Sequence, residues 1–169
     1  AGLLEAVTVP CVIDADGLNS LAADPTGLAL VAEAARAPIL TPHPAEAARL
    51  LGRSTVEVQE NRFRSAQALS ELTRATVLLK GACTVVAHPD GTLDVLPFED
   101  PRLATAGSGD VLSGAIGGLL AQGASTADAV LAGAWIHAAS ASGAIGDRGL
   151  LAGDLADALP ASLRTLRRG

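Results

Sequence analysis

The chain has 169 residues, 49% of them apolar and 18% charged, which excludes intrinsic disorder and suits one domain or a piece of a larger one. Lys plus Arg number 12 against 18 Asp plus Glu, a formal net charge of −6. That balance argues against a general nucleic-acid binder or a membrane-surface protein, and the apolar runs are far shorter than the roughly 20 residues of a membrane span.

In chain order, Val9-Pro10-Cys11-Val12-Ile13-Asp14 is a short β-branched run ending in a carboxylate, as expected of a buried parallel strand. Two helices are predicted next, over 15–22 and 27–36, separated by the breaker Asp24-Pro25. Pro38-Ile39-Leu40-Thr41 reads as a second buried strand, followed by Pro42-His43-Pro44 and a helix over 45–51 that Gly52 ends. A longer helix is predicted from Ser54, with Val58, Ala66, Leu69 and Leu72 on an apolar stripe that Arg62 interrupts. Thr76 to Gly81 is a third strand. Pro89-Asp90-Gly91 joins 84–88 and 92–96 as a hairpin. A loop of small residues spans 102–109, and helices follow over 110–122, 125 to about 145, and 152–166. Alternating strands and helices with one hairpin predict a three-layer α/β arrangement around a mostly parallel sheet, in one domain.

Cys11 and Cys83 lie far apart and fit neither a disulfide framework nor a zinc site. Their flanks are apolar or small, so the compartment reads as reducing and cytoplasmic. Ala1-Gly2-Leu3-Leu4-Glu5 carries neither the basic nor the long apolar segment of a signal peptide. The chain has no Met, so either an initiator Met was removed ahead of Ala1 or the start is not the natural one, and the motifs below favour the second.

Four segments can carry chemistry. In Ala106-Gly107-Ser108-Gly109-Asp110 two glycines precede a helix, whose first N–H groups and dipole suit an anion, phosphate best of all. Asp110 can there accept a proton from a hydroxyl near a bound phosphate. The plainer alternative is a turn at Gly107 and Gly109 with Asp110 as helix cap. Thr41-Pro42-His43-Pro44-Ala45-Glu46 follows a strand, at the carboxyl edge where α/β proteins bind ligands. The two prolines fix the direction of His43, which reads as a functional residue. Glu46 either binds a magnesium-associated water or complements the helix dipole, and the dipole reading is preferred.

Lys80-Gly81-Ala82-Cys83-Thr84 offers a point charge and an accessible backbone at another strand end, or is an ordinary exit with a solvated lysine. Asp14-Ala15-Asp16-Gly17-Leu18-Asn19 could hold a metal or a ribose, or supply helix caps. His137, within an apolar helix beside Trp135, reads as a satisfied core histidine.

In this order, Asp-Ala-Asp-Gly-Leu-Asn, Thr-Pro-His-Pro-x-Glu, Lys-Gly-Ala-x-Thr and Gly-Ser-Gly-Asp-Val-Leu-Ser-Gly resemble the nucleotide-dependent NAD(P)H-hydrate dehydratases, a branch of the ribokinase-like fold. The sugar and vitamin kinases of that fold usually have Asn in place of His43. Ala45 stands where Gly is common in the family, and Ser108 where Thr is usual. The resemblance implies that ADP or ATP, with Mg2+, phosphorylates the ring hydroxyl of S-hydrated NADH or NADPH, after which phosphate leaves and the double bond is restored. It implies that His43 and Asp110 contact the hydrated dinucleotide, with Asp110 as base. Lys80, Gly81, Ala82, Cys83 and Thr84 would line the adenine nucleotide, and Gly107, Ser108 and Gly109 would approach its phosphates.

Members of the family form homo-oligomers, and a fused or separate NAD(P)H-hydrate epimerase is a compatible partner. They also carry early strands and a glycine-rich segment ahead of the point where this chain starts. The expectation is therefore a domain without its N-terminal strands, weakly active or inactive by itself. Two other functions fit the motifs less closely. A hydroxymethylpyrimidine, thiazole or sugar kinase would release a stable phosphoester, and a non-catalytic remnant would bind adenine nucleotides without turnover.

Overall fold

The computed structural model describes residue 4, residues 6–142 and residues 149–166. They form two compact units, one running to Pro97 and one from Phe98.

The first unit is built on five strands, β1 (Val12–Ile13), β2 (Ile39–Leu40), β3 (Thr76–Leu79), β4 (Thr84–Ala87) and β5 (Leu93–Leu96), in that spatial order. β1 pairs with β2 and β2 with β3 in parallel, while β3–β4 and β4–β5 are antiparallel. β1, β2, β3 and β5 thus share one direction, and β4 alone runs against them. The first two strands are shorter than their apolar runs. The ladder nevertheless reaches one residue beyond each, since Ile39 N–H donates to Cys11 O at 2.9 Å and Thr41 N–H to Ile13 O at 3.2 Å.

Five helices accompany these strands: α1 (Ala15–Ala23), α2 (Gly27–Ala32), α3 (Pro44–Leu51), α4 (Thr55–Glu60) and α5 (Arg62–Thr73). α2 stops four residues short of the predicted Arg36. Its last N–H bond, Glu33 to Ala29 O, is followed by a tighter Ala34 to Val31 O bond, and Pro38 keeps the residue before it out of helical conformation. The single long helix predicted from Ser54 is divided at Asn61, whose φ of −130° leaves the helical region. Asn61 Nδ2 donates to Glu57 O at 3.4 Å, the competition for backbone carbonyls that makes asparagine a poor helix-interior residue. On α5 the buried face is Ser65, Ala66, Leu69, Ser70 and Thr73, and Leu72 falls outside it, exposed. The core is filled by Leu18, Val31, Leu40, Val58, Leu69, Val77, Leu79 and Val85, with no aromatic ring among its buried members.

The second unit has a 3₁₀ turn at Pro101–Ala104 and three helices, α6 (Ser108–Ala121), α7 (Thr126–Ser142) and α8 (Ala152–Leu166). Ser125 starts α7 as predicted, its Oγ accepting from Asp128 N–H at 3.1 Å. The predicted last residues of that helix, beyond 142, lie outside the described ones. Where α6 meets α7, a Cβ built on Gly133 would stand 2.6 Å from Ile116 Cγ1 and 3.2 Å from Ile116 Cα. Gly133 is thus what lets the two helices approach so closely. Gly133→Ala is expected to lower unfolding free energy by about 1–3 kcal/mol through overpacking, measured by denaturant titration.

Candidate active site

Parallel pairing of β1, β2 and β3 brings their carboxyl ends to one level, with Asp14 after β1, Thr41-Pro42-His43 after β2 and Lys80 after β3. Lys80 N–H donates to Pro42 O at 2.8 Å, and Thr41 Oγ1 to Ile13 O at 3.4 Å, tying the three exits together. Lys80 Nζ lies 2.7 Å from Asp14 Oδ1 and 4.0 Å from Glu46 Oε2. The lysine side chain is 21% exposed and that of Asp14 11%, so the pair is shielded enough for its attraction to exceed that of a surface ion pair. Asp14 also caps α1 by accepting from Ala15 N–H at 2.9 Å.

His43 is the N-cap of α3. Its Nδ1 accepts from Ala45 N–H at 3.1 Å and Glu46 N–H at 3.3 Å, so the ring proton sits on Nε2, which faces Glu46 Oε1 at 3.3 Å. Glu46 returns the contact, its Oε2 accepting from His43 N–H at 2.7 Å to close a capping box. Pro44 at the first helical position fixes the turn. The imidazole remains 46% exposed, so one edge is committed to the helix while the ring can still meet a ligand.

Glu46 Oε2 closes the box, and Oε1 lies against His43 Nε2. Among the described residues no group of three or more His, Cys, Asp or Glu gathers around one point.

The Lys80–Thr84 segment turns sharply. Gly81 has φ +135° and Cys83 φ +53°, and Thr84 Oγ1 donates to Gly81 O at 3.2 Å. Ala15, Arg74 and Cys83 are the described non-glycine residues at positive φ, and two of them belong to these strand exits, where backbone strain often accompanies function. Ala82 is exposed, and Cys83 is half-buried. Neither Cys83 nor Cys11 is in a disulfide, and burial pushes the Cys11 thiol pKa up.

Beneath the segment lies a residue that sequence reading noted only as an interruption of an apolar stripe. Arg62 Nη2 donates to Leu79 O at 3.1 Å, Lys80 O at 3.3 Å and Cys83 O at 3.4 Å, and Nη1 donates to Gln59 Oε1 at 2.7 Å. Burial pulls the guanidinium pKa down from its usual value. The one signal that could have exposed it was a charged residue at helical spacing among Val58, Ala66 and Leu69.

In the second unit, α6 starts two residues earlier than predicted. Gly107 is its N-cap at φ +83°, no side chain caps it, and the first turn is Ser108, Gly109 and Asp110. The first intrahelical bond runs from Val111 N–H to Gly107 O at 3.2 Å, which leaves the amides of Gly109 and Asp110 directed outward. An alanine at Gly107 would be strained at that φ and would bring its Cβ to 3.0 Å from Ala152 Cβ.

Ser108 turns inward, its Oγ 3.0 Å from His137 Nε2, and both side chains are buried. The helical histidine is therefore a satisfied core residue, as read from sequence. Asp110 is exposed and, among the described residues, makes no hydrogen bond or ion pair; it does not cap the helix. Upstream, Asp100 holds the 3₁₀ turn by accepting from Arg102 N–H at 3.0 Å and from Arg102 Nη2 at 2.7 Å. Those bonds lower the Asp100 pKa, the Arg102 side chain contributing most.

Set against known proteins, residues 3–162 match the family profile described as NAD(P)H-hydrate dehydratase. The ADP-dependent (S)-NAD(P)H-hydrate dehydratase of Neisseria meningitidis is 46% identical over 168 residues, covering 99% of this chain and 56% of that protein. The bifunctional NAD(P)H-hydrate repair enzyme Nnr of Moorella thermoacetica is also 46% identical, over 97% of this chain and 31% of its own length. Among solved structures, the ADP/ATP-dependent NAD(P)H-hydrate dehydratase of Bacillus subtilis, co-crystallised with ATP/Mg2+, superposes with a TM-score of 0.78 at 31% identity, over 92% of this chain and 55% of that one. The chain thus spans about a third to a little over half of these relatives. Its α/β fold is the ribokinase-like one. Among the described residues no helix is long and apolar enough to cross a membrane.

Two stability measurements follow from the geometry. His43→Ala should destabilise by about 1 kcal/mol through the lost cap, whereas His43→Asn, which supplies a good N-cap, should stay close to the parent in denaturant melts. For Asp100, a native pKa below the ordinary aspartate value means that its stabilisation is complete above about pH 4 and is lost as pH falls through the native value. Asp100→Asn should therefore flatten the acid limb of the stability profile between those two values.

Proposed function

Because the chain belongs to the NAD(P)H-hydrate dehydratase family, we propose that it carries out the nucleotide-dependent dehydration of S-hydrated NADH and NADPH. The observation that carries the reading is the start of α6, with no side chain at its cap, two amides directed outward and an exposed, unpaired Asp110 in its first turn. A bare glycine cradle of this kind accepts phosphate, and a carboxylate beside it can take the proton of an attacking hydroxyl.

The proposed chemistry has two stages. The terminal phosphoryl group of ADP passes to the ring hydroxyl, whose proton goes to Asp110, and AMP leaves. The ring C–O bond then breaks, inorganic phosphate departs with the bonding pair, and loss of a ring proton restores the double bond. Phosphoryl transfer needs mainly positioning and fixed donors for spread negative charge. The outward amides of Gly109 and Asp110 would supply those donors, with Gly107 and Ser108 shaping the turn that the phosphates approach.

In the first unit, Lys80, Gly81, Ala82, Cys83 and Thr84 would line the adenine nucleotide, and the exposed edge of His43 would contact the hydrated dinucleotide. ADP is taken as donor from the Neisseria relative, and ATP would serve by the same route. Magnesium would enter with the nucleotide, and Glu46, which also closes its capping box, would meet a water bound to that ion. An epimerase that equilibrates the hydrate epimers is the natural functional partner, in keeping with a relative described as bifunctional.

The test is turnover of hydrated NADH with ADP in the full-length protein, followed by restored nicotinamide absorbance and free phosphate. Asp110→Asn should lower kcat by about 10²–10⁴ with ADP affinity retained. His43→Asn, which preserves the cap, should raise KM for the hydrate. A phosphoester that accumulates without restored absorbance would instead identify a small-molecule kinase, and ADP binding with no chemistry a non-catalytic binder.

A further inference from the structure

We propose that Arg62 is a positioning residue, which sets the backbone of the Lys80–Thr84 segment for the adenine nucleotide; the inference rests on the reading above that this segment lines that nucleotide. Three carbonyls from one turn, those of Leu79, Lys80 and Cys83, converge on a single guanidinium nitrogen at 3.1–3.4 Å. In a planar trans peptide the C=O and the N–H of the same unit point in opposite directions. Drawing the Lys80 carbonyl onto Arg62 therefore turns the Gly81 N–H away from the guanidinium.

The segment is also shaped around this group. A Cβ on Gly81 would lie 2.9 Å from Nη1, and the φ of +135° is one that side-chain-bearing residues rarely adopt. Arg62 itself is placed by the break at Asn61, which starts a new helix at this residue, and by Gln59, which takes its second terminal nitrogen.

The electrostatics point the same way. Among the described residues Arg62 pairs with no carboxylate, and its buried Nε has no hydrogen-bond partner. A half-buried guanidinium that only neutral carbonyls hold is costly, and its positive charge is left uncompensated under the segment. A polyanionic ligand bound on the other side of that backbone would balance it. Lysine could not do this work, since an ammonium on a flexible stem lacks the planar fork that addresses several carbonyls at once.

The experiment compares Arg62→Ala and Arg62→Lys with the parent in the full-length protein. ADP affinity is measured by calorimetry, KM for ADP and for hydrated NADH separately, and amide exchange across residues 80–84. Positioning predicts ADP affinity weaker by about 10- to 100-fold in both variants, KM for the hydrate unchanged, and faster exchange at Gly81. A purely structural arginine would lower the melting temperature and the active fraction while folded enzyme kept parental ADP affinity, and that result would overturn the inference. If the alanine variant does not fold, the lysine variant decides by the same criteria. A parent protein that binds no adenine nucleotide would sink the functional reading and this inference with it. A parent that binds ADP, with variants that bind it equally, would sink this inference alone.

Discussion

Three very short strands paired in parallel and in register organise everything chemically interesting in the first unit. Because Val12, Ile39 and Thr76 stand side by side, as do Ile13, Leu40 and Val77, the chain leaves the sheet three times at one level. Each exit then carries a polar group into the same small region, and the groups satisfy one another. Lys80 reaches Asp14, the Lys80 amide holds the Pro42 carbonyl, and His43 and Glu46 lock the start of α3. Slipping one strand by a residue would invert every side chain and dismantle the cluster.

Several polar residues here each hold more than one part of the structure. His43 caps a helix through Nδ1 and turns Nε2 to Glu46, while nearly half of the ring surface stays exposed. Asp14 caps α1 and fixes the lysine. In the second unit the labour is divided differently between neighbours. Ser108 is buried against His137 and anchors the first turn of α6, while Asp110, two residues on, is exposed and bonded to nothing described. Such anchoring matters because a donor or base contributes to catalysis only when its position is fixed before the ligand arrives.

Much of this was legible in the residue string for identifiable reasons. Asp-Gly marked the hairpin, Gly52 the end of α3, Ser125 the start of α7, and Pro44 the first turn of α3. These are local effects of backbone sterics and capping. The division at Asn61, the early end of α2, the exposed Leu72 and the start of α6 at Ser108 were not legible. Each depends on which competing hydrogen bond or packing partner prevails, and that partner is distant in sequence or equally compatible with either outcome.

The alternation of strands and helices by itself determined the α/β class, and the order of four short motifs determined the family and named the candidate residues for phosphate, hydroxyl and nucleotide. Only the tertiary structure decided how those residues are engaged. It paired Lys80 with Asp14 across 66 positions of chain, closed Glu46 into a cap with His43, and drew Arg62 onto carbonyls that begin 17 residues later, at Leu79. The physical reason is that capping and turn formation are governed by neighbours in sequence, whereas ion pairs and carbonyl staples form only after a sheet has brought separate strand ends within a few ångströms of one another.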